Sequence, residues 1–229
     1  MLSPDSVELA DMAARWRSAY VHIPFCRRRC PYCDFAVVAP GDTVAVDLDG
    51  LSADYLSSLH GEIDMEAAWA PLHAINFGGG TPSAVGAATI DGLIEHLDQR
   101  FGIEPGAEVS VEANPEDVTD EFIDGLLAAG VTRLTLGIQS LDDEILTYLG
   151  RAHDGATALR KLADCLPHFS VGVDLIFGSP GESLDSWKRT VDLTLEHFPH
   201  HASAYSLTVE TGTTLWKEVR AGAASPDPD

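Results

Sequence analysis

Three of the four cysteines in this 229-residue chain lie close together near its beginning. Cys26, Cys30 and Cys33 form the pattern C-x3-C-x2-C within HIPFCRRRCPYCDF, residues 22–35. Thiolates are soft ligands that suit zinc and iron–sulfur clusters. Structural zinc sites and [4Fe–4S] clusters usually take four protein ligands. Three thiolates therefore predict a metal centre with one open position, which a small molecule can fill.

Two further residues could supply a fourth ligand. His22 lies on a predicted strand just before the loop, where a packed or hydrogen-bonded histidine is the simpler interpretation. Cys165 lies in the apolar helical stretch ALRKLADCLPHF, and a free cysteine is commonly a small buried hydrophobic residue. We therefore expect both residues to be structural, with a zinc ion at the loop as the alternative to a cluster.

Alternating strand-like and helix-like segments must position this loop. The predicted strands are residues 19–25, 73–79, 108–115, 133–140, 171–178 and 202–210. The predicted helices are residues 52–68, 82–100, 119–130, 142–149, 154–166 and 183–197, and residues 36–50 are predicted as a loop. In the third helix, Thr119 suits the N-cap and Gly130 the C-cap. Six strand–helix repeats predict a parallel α/β sheet with right-handed crossovers, either an open sheet or an incomplete barrel.

Glycines and polar residues come at the ends of these predicted strands. The first strand leads into the cysteines and the second into GGGTP, and the later ones carry Glu112, Asn114, Gln139 and Asp174. In parallel barrels the chemistry gathers at the carboxyl ends of the strands. The sequence therefore predicts that these residues form one rim of an active site.

Each of these residues also allows an ordinary structural role. The glycines of GGGTP suit a tight turn before a helix with Pro82 in its first turn, or a close backbone approach to a ligand. Glu112 and Asn114 are two residues apart on a strand and share a face. Asp174 interrupts VGVDLIFG, so its carboxylate needs a partner. Arg151, in LGRAHDG, would be a surface charge on the structural interpretation.

The segment YVHIPFCRRRCPYCDF resembles the radical S-adenosylmethionine (SAM) superfamily. The resemblance implies a partial (β/α)6 barrel of parallel strands with outer helices. It also implies that Cys26, Cys30 and Cys33 hold a [4Fe–4S] cluster whose fourth iron binds SAM, and that reduction cleaves SAM to a 5′-deoxyadenosyl radical. The SAM-contacting residues that it implies are Tyr20, Tyr32, Gly79, Gly80, Thr81, Glu112, Gln139, Arg151 and Asp174.

Four motifs are similar to the oxygen-independent coproporphyrinogen III oxidase-like group: YVHIPFC, FGGGTPS, GIQS…LGRAH and VDLIFGSPGES. The decarboxylating oxidases of this group typically carry an extra cysteine two residues after the third one, where this chain has Phe35. That departure favours the HemW-type haem chaperone branch, whose members bind haem and deliver it to target proteins. Oxidation of coproporphyrinogen III to protoporphyrinogen IX is the alternative function.

The resemblance also suggests how the chain is divided. We expect residues 1–18 to be a loosely held extension, residues 19–212 the radical SAM core, and residues 213–229 the start of a linker to a C-terminal domain. In the haem chaperone branch, the haem-contacting histidine motif lies in that domain. The resemblance therefore implies a truncated chain that lacks the haem site.

Composition and charge exclude some classes of function. The net charge of −22 argues against a nucleic-acid-binding surface, because phosphate backbones attract clustered Lys and Arg. Neither a bilayer-spanning run nor a signal peptide is visible, so we expect a cytoplasmic protein that associates with membranes only through its targets. The expected partners are haem, haem-accepting proteins and a reductant such as flavodoxin or ferredoxin. The arginines at 27–29 are predicted to be solvated loop charge, or to offset cluster charge or dock an acidic electron donor.

Overall fold

A computed structural model describes residues 17–40, 48–66 and 69–222. It contains a six-stranded parallel sheet in the order β1-β2-β3-β4-β5-β6. The strands are β1 Ser18–Ile23, β2 Leu72–Gly79, β3 Ile103–Ala113, β4 Arg133–Gln139, β5 Ser170–Phe177 and β6 His201–Ser206. The helices are α1 Leu48–Met65, α2 Ala87–Phe101, α3 Asp120–Ala128, α4 Asp143–Tyr148, α5 Gly155–Cys165, α6 Leu184–Leu195 and α7 Thr214–Arg220. Short 3-10 helices cover Pro82–Val85 and Pro115–Asp117.

The strand–helix alternation predicted from the sequence is confirmed, with differences at several element boundaries. β3 begins before residue 108, because its pairing with β2 shifts register between Leu72 and Ala74 and so accommodates the Pro-Gly step at 105–106. The predicted helix over 82–100 is divided at Gly86, whose φ of 81° lies in the left-handed region. α1 begins inside the predicted loop 36–50, and β6 ends at Ser206 rather than at 210.

Some predictions fall on parts of the chain that the structure does not describe. They concern most of the extension at 1–18, residues 41–47 of the predicted loop, and residues 223–229 of the predicted linker. Within the described part of that linker the structure shows α7, a helix that was not predicted.

One face of the sheet packs against the helices and the other faces a cavity. In β4 the residues alternate, with Leu134, Leu136 and Ile138 fully buried in the main core. Burial of a side chain of this size contributes about 1.5–3 kcal/mol. Thr135 and Gly137, on the opposite face, line the cavity. The two-residue period of β4 thus separates core positions from cavity positions.

Local capping fixes where the helices begin and end. The predicted N-cap Thr119 is confirmed, because its hydroxyl accepts a hydrogen bond of 3.1 Å from the Phe122 backbone N–H. The C-cap of α3 is Ala129 rather than the predicted Gly130, which comes one residue later with a φ of 78°. Among the described helices, none is both long enough and apolar enough to cross a bilayer.

Candidate functional site

A cavity of about 170 Å³ lies at the carboxyl ends of the strands, beside the cysteine loop. The structure brings together there every residue predicted to bind the cluster or SAM, except Tyr20. These lining residues are Cys26, Cys30, Tyr32, Cys33, Gly79, Gly80, Thr81, Glu112, Gln139, Arg151 and Asp174. The polar and glycine residues predicted to form one rim therefore line the same cavity.

Tyr20 lies next to this cavity rather than in it. It lines an adjoining hollow together with Glu112 and Asp174, and 60% of its surface is exposed. Its hydroxyl lies 3.2 Å from Nδ1 of His22, whose Nε2 lies 3.1 Å from the carbonyl oxygen of Ala36. The prediction that His22 is a hydrogen-bonded structural residue is confirmed.

Backbone hydrogen bonds close the cysteine loop onto itself. The N–H of Cys26 donates to Val38 O at 3.0 Å, and the N–H of Val38 donates to Pro24 O at 2.8 Å. Within the loop the N–H of Cys33 donates to Cys30 O at 3.1 Å, which forms a turn between the second and third cysteines. The spacing of the cysteines therefore places all three thiols at one wall of the cavity.

The arginines of the loop are bound back to the chain. Arg27 forms an ion pair with Asp117, whose side chain is only 1% exposed. Nη1 of Arg28 donates to Gly150 O at 3.3 Å, and Nη2 of Arg29 donates to Val37 O at 2.5 Å. These contacts tie the loop to the 3-10 helix at 115–117 and to the turn after α4.

The loop thiols are half-buried, and two of them accept hydrogen bonds from neighbouring side chains. The Thr81 hydroxyl donates to Sγ of Cys26 at 3.3 Å, and Nη1 of Arg151 donates to Sγ of Cys30 at 3.6 Å. Burial raises the pKa of Cys26 and of Cys33, which the hydrogen bond from Thr81 and that from the Phe35 backbone partly oppose. Burial thus favours the neutral thiol, and a bound metal would deprotonate it outright. The donor set consequently fits a metal centre.

The three loop thiols line the cavity but are not arranged around a single metal ion. Within residues 17–40, 48–66 and 69–222, no three His, Cys, Asp or Glu side chains are grouped closely enough to hold a single metal ion. Cys165 is fully buried in the hydrophobic core at the end of α5 and does not line the cavity. The prediction that Cys165 is structural is confirmed.

The glycines at 79 and 80 allow the segment after β2 to pack closely against residues just before the cysteine loop. Gly79 has a φ of 114°, and a side chain there would collide with the ring of His22. A Cβ on Gly80 would lie 2.7 Å from the backbone carbonyl carbon of Pro24. The contact that requires glycine at position 80 is therefore with the chain itself, and contact with a ligand remains a prediction.

Arg151 is partly buried in the cavity wall rather than exposed on the surface. Its Nη2 donates to Gly137 O at 3.1 Å and to Oδ1 of Asn114, while its Nη1 reaches Cys30. Its Nε is also buried and has no hydrogen-bond partner among the described residues. A buried donor without a partner is costly, which indicates a place for an acceptor that the chain does not supply.

Two carboxyl groups face the cavity from neighbouring parts of the sheet. Burial and the nearby Asp174 raise the pKa of Glu112, and burial also raises the pKa of Asp174 itself. The Gly79 N–H and His22 oppose the shift at Glu112 without cancelling it. Such an acidic pair suits a cationic or hydroxyl-bearing ligand, because such groups compensate buried carboxylates.

A backbone distortion directs Gln139 into the cavity. The register between β4 and β5 shifts between Gly137 and Gln139, and Gln139 has a φ of 68°. A residue other than glycine in this region costs of order 1–3 kcal/mol, and such strain tends to occur at functional sites.

Other cavity-lining residues were not predicted to contact a cofactor. They are Arg27, Arg28, Arg29, Phe35, Val37, Ala113, Asn114, Glu116, Thr135, Gly137 and Gly150. Thr135 and Gly137 could have been found from the sequence, because they precede Gln139 at spacings of four and two on the same strand. Glu116 lies on a 3-10 helix after Pro115, and no sequence period indicates its direction.

The comparisons with known proteins match this geometry. The sequence profile of the Radical SAM superfamily matches residues 20–194, which is more than half of the chain. The chain belongs to the radical SAM superfamily. Membership implies a [4Fe–4S] cluster and SAM as cofactors, which agrees with three thiols and a polar cavity at the ends of the strands.

Within the radical SAM superfamily, the chain is similar to two curated proteins named heme chaperone HemW. The protein from Mycobacterium tuberculosis (strain ATCC 25618 / H37Rv) is 41% identical over 230 residues, covering 96% of this chain and 57% of the relative. The protein from Escherichia coli (strain K12) is 37% identical over 202 residues, covering 86% of this chain and 52% of the relative. The chain spans about half the length of these relatives.

A solved radical SAM enzyme has the same architecture. Coproporphyrinogen III oxidase (HemN) from Escherichia coli matches with a TM-score of 0.85 and 25% identity, covering 99% of this chain and 52% of that chain. The predicted fold, a radical SAM partial barrel of parallel strands with outer helices, is thereby confirmed.

Proposed function

We propose that this chain is the radical SAM core of a haem chaperone, and that Cys26, Cys30 and Cys33 hold its [4Fe–4S] cluster. The observation that carries the proposal is the meeting of three half-buried thiols and the half-buried Arg151 at one cavity. The identity to proteins named heme chaperone HemW supports this branch of the superfamily. A cluster bound there would supply the electron that cleaves SAM reductively.

In this chain, hydrogen bonds to the cysteine sulfurs would tune the reduction potential of the cluster. Donors to thiolate sulfur stabilise the added negative charge of a reduced cluster and raise its potential. The Thr81 hydroxyl and the Arg151 guanidinium are such donors, to Cys26 and Cys30 respectively. Arg151 also contributes a positive charge beside the thiols.

We propose that SAM lies across the cavity from the cysteine loop to β5. The unpaired Nε–H of Arg151 is suited to the SAM carboxylate, and the acidic Glu112 and Asp174 are suited to its amino group and ribose hydroxyls. The backbone at Gly79 and Gly80 borders the same space. Further contacts are proposed for Tyr20, Tyr32, Thr81 and Gln139.

Phe35 favours a chaperone over the oxidase. It occupies the position of the extra cysteine typical of the oxidases, lines the cavity and exposes 68% of its surface. A phenyl ring offers neither a thiol nor a metal ligand at that position. The likeness to HemN favours the oxidase as a second candidate, although its 25% identity is lower than that to the proteins named HemW.

The remaining assignments concern the whole protein. We propose that residues 19–212 form the core, with residues 1–18 as an extension and residues 213–229 leading to a C-terminal domain that carries the haem site. We also propose a cytoplasmic location, where free thiols persist, and a flavodoxin or ferredoxin as the reductant. Haem would pass from this protein to acceptor proteins.

Anaerobic reconstitution with iron and sulfide tests the proposal. The reduced cluster should show an electron paramagnetic resonance (EPR) signal that changes when SAM is added, and coproporphyrinogen III should remain unchanged. Decarboxylation of coproporphyrinogen III coupled to release of 5′-deoxyadenosine would establish the oxidase instead. The variant Cys165→Ala is the matched control, because it removes a thiol that does not line the cavity.

A further inference from the structure

His153 is a buried histidine next to the proposed cofactor site. Its side chain is fully buried, yet both of its ring nitrogens face oxygen atoms. Nε2 lies 3.0 Å from Ile138 O, and Nδ1 lies 3.0 Å from Oε2 of Glu116. The first of these oxygens belongs to the distorted end of β4, where the N–H of Ser140 also donates to Ile138 O at 2.9 Å.

These contacts determine how many protons the site holds. A backbone carbonyl can only accept, so Nε2 of His153 must carry a hydrogen. Nδ1 must carry a second hydrogen if Glu116 is ionised, because a carboxylate also only accepts. Burial raises the pKa of Glu116, but the hydrogen bond with His153 and the charge of Arg151 outweigh it and leave that pKa below its usual range. With Glu116 as the anion, both ring nitrogens of His153 must carry a hydrogen, and the two contacts then fit the imidazolium.

The pair is connected electrostatically to the cavity. Glu116 lines the cavity wall, and its charge acts on Arg151. Arg151 in turn donates to Cys30 and to Gly137 O. If His153 were neutral, Glu116 would cancel the charge of Arg151. With His153 charged, the three side chains keep one net positive charge beside the thiols.

We propose that His153 is a positioning residue whose imidazolium holds Glu116 against the cavity wall and thereby leaves the charge of Arg151 available to the carboxylate of SAM. This inference rests on the proposed function for the identity of the ligand, but not for the protonation state of the ring. It predicts two results that can be tested separately. One is the protonation state of the ring in the chain without cofactors, and the other is the affinity of the reconstituted protein for SAM.

The first experiment observes the protons directly. In the folded chain without cluster, labelled with 15N-histidine, long-range 1H–15N NMR spectra should show both ring nitrogens of His153 protonated at neutral pH. The variant His153→Gln identifies the signal by its loss. In the variant Glu116→Gln the anion is absent, so the ring should carry a single hydrogen. A singly protonated ring in the wild-type chain would overturn the inference.

The second experiment measures SAM affinity on the reconstituted protein by isothermal titration calorimetry. His153→Gln should weaken SAM binding by about 10- to 100-fold, the range for removal of such supporting residues. The exposed His168, changed to Gln, is the matched control and should leave binding unchanged. The double variant with Glu116→Gln removes one charge of each sign, so it should bind SAM more tightly than His153→Gln alone.

If His153 has only a structural role, the losses of SAM affinity caused by His153→Gln and by Glu116→Gln should add in the double variant, because each substitution then only disturbs packing. Additive losses would therefore overturn the inference even if all variants fold. Absence of SAM binding to the wild-type protein would instead refute the proposed function, while the NMR spectra would still decide whether His153 holds the second proton.

Discussion

Replacement of Gly80 by alanine tests how tightly the glycine segment closes the cysteine loop. A Cβ at this position would lie 2.7 Å from the carbonyl carbon of Pro24 and 2.8 Å from its oxygen. These are backbone atoms, which cannot rotate away as the end of a flexible side chain can. The N–H of Gly80 also donates to Ile23 O at 2.8 Å, so the segment is held against the loop from both sides.

The expected cost of Gly80→Ala comes from this overpacking. Insertion of a methyl group into a well-packed site costs about 1–3 kcal/mol. At a urea dependence of about 2 kcal/mol per molar, the unfolding midpoint should fall by roughly 0.5–1.5 M. Gly92→Ala in α2 is the control, because a Cβ there meets nothing within 4 Å. Alanine favours a helix over glycine by about 0.5–1 kcal/mol, so this control should be stabilised.

Urea unfolding of the chain without cofactors, followed by circular dichroism, measures both variants. An unchanged slope with a lower midpoint for Gly80→Ala supports the argument, and the iron bound after reconstitution should fall as well because the loop is displaced. Equal midpoints for wild type and Gly80→Ala would refute the claim that glycine is required by contact with the chain.

Three further predictions concern ionisable groups in the site and in the core. Asp117→Asn should lower the free energy of unfolding in urea by about 1–3 kcal/mol, since it removes a buried charge that pairs with Arg27; unchanged stability would contradict this. Burial raises the pKa of Cys165 to about 12, so iodoacetamide at about pH 8 should alkylate the loop cysteines of the cofactor-free chain and spare Cys165, and mass spectrometry detecting equal labelling would count against its burial. The raised pKa of Glu112 means that its stabilising contribution is complete below the pKa of the unfolded chain, about 4.3, and is lost as the pH rises through its folded value. Glu112→Gln should therefore be more stable than wild type in urea at neutral pH, with a difference that disappears near pH 4; a constant difference would exclude titration as its cause.

Much of the site could be predicted because its signals are local. The spacing of Cys26, Cys30 and Cys33 is contained in one short segment, and the strand-end residues follow from the period of two along each strand. The parallel arrangement of the strands follows from the alternation of strands and helices. These features depend on neighbours in the sequence, and the structure places them together as predicted.

The rest depends on contacts between distant segments. Arg151 is held in the cavity wall by partners on three other segments, among them Cys30 and Asn114, whereas the sequence alone allowed a surface position. The distortion at Gln139 breaks the strand period that guides such predictions. The contact between Glu116 and His153 joins segments 37 residues apart, and no motif indicates it.

The iron and acid-labile sulfide content of anaerobically reconstituted protein tests the cluster assignment most directly. We expect about four of each per chain in the wild type and in Cys165→Ala, and a loss of most of both in each single alanine variant of Cys26, Cys30 and Cys33. About four iron and four sulfide per chain after removal of any loop cysteine would contradict the assignment. Loss of iron and sulfide on removal of Cys165 would contradict it as well.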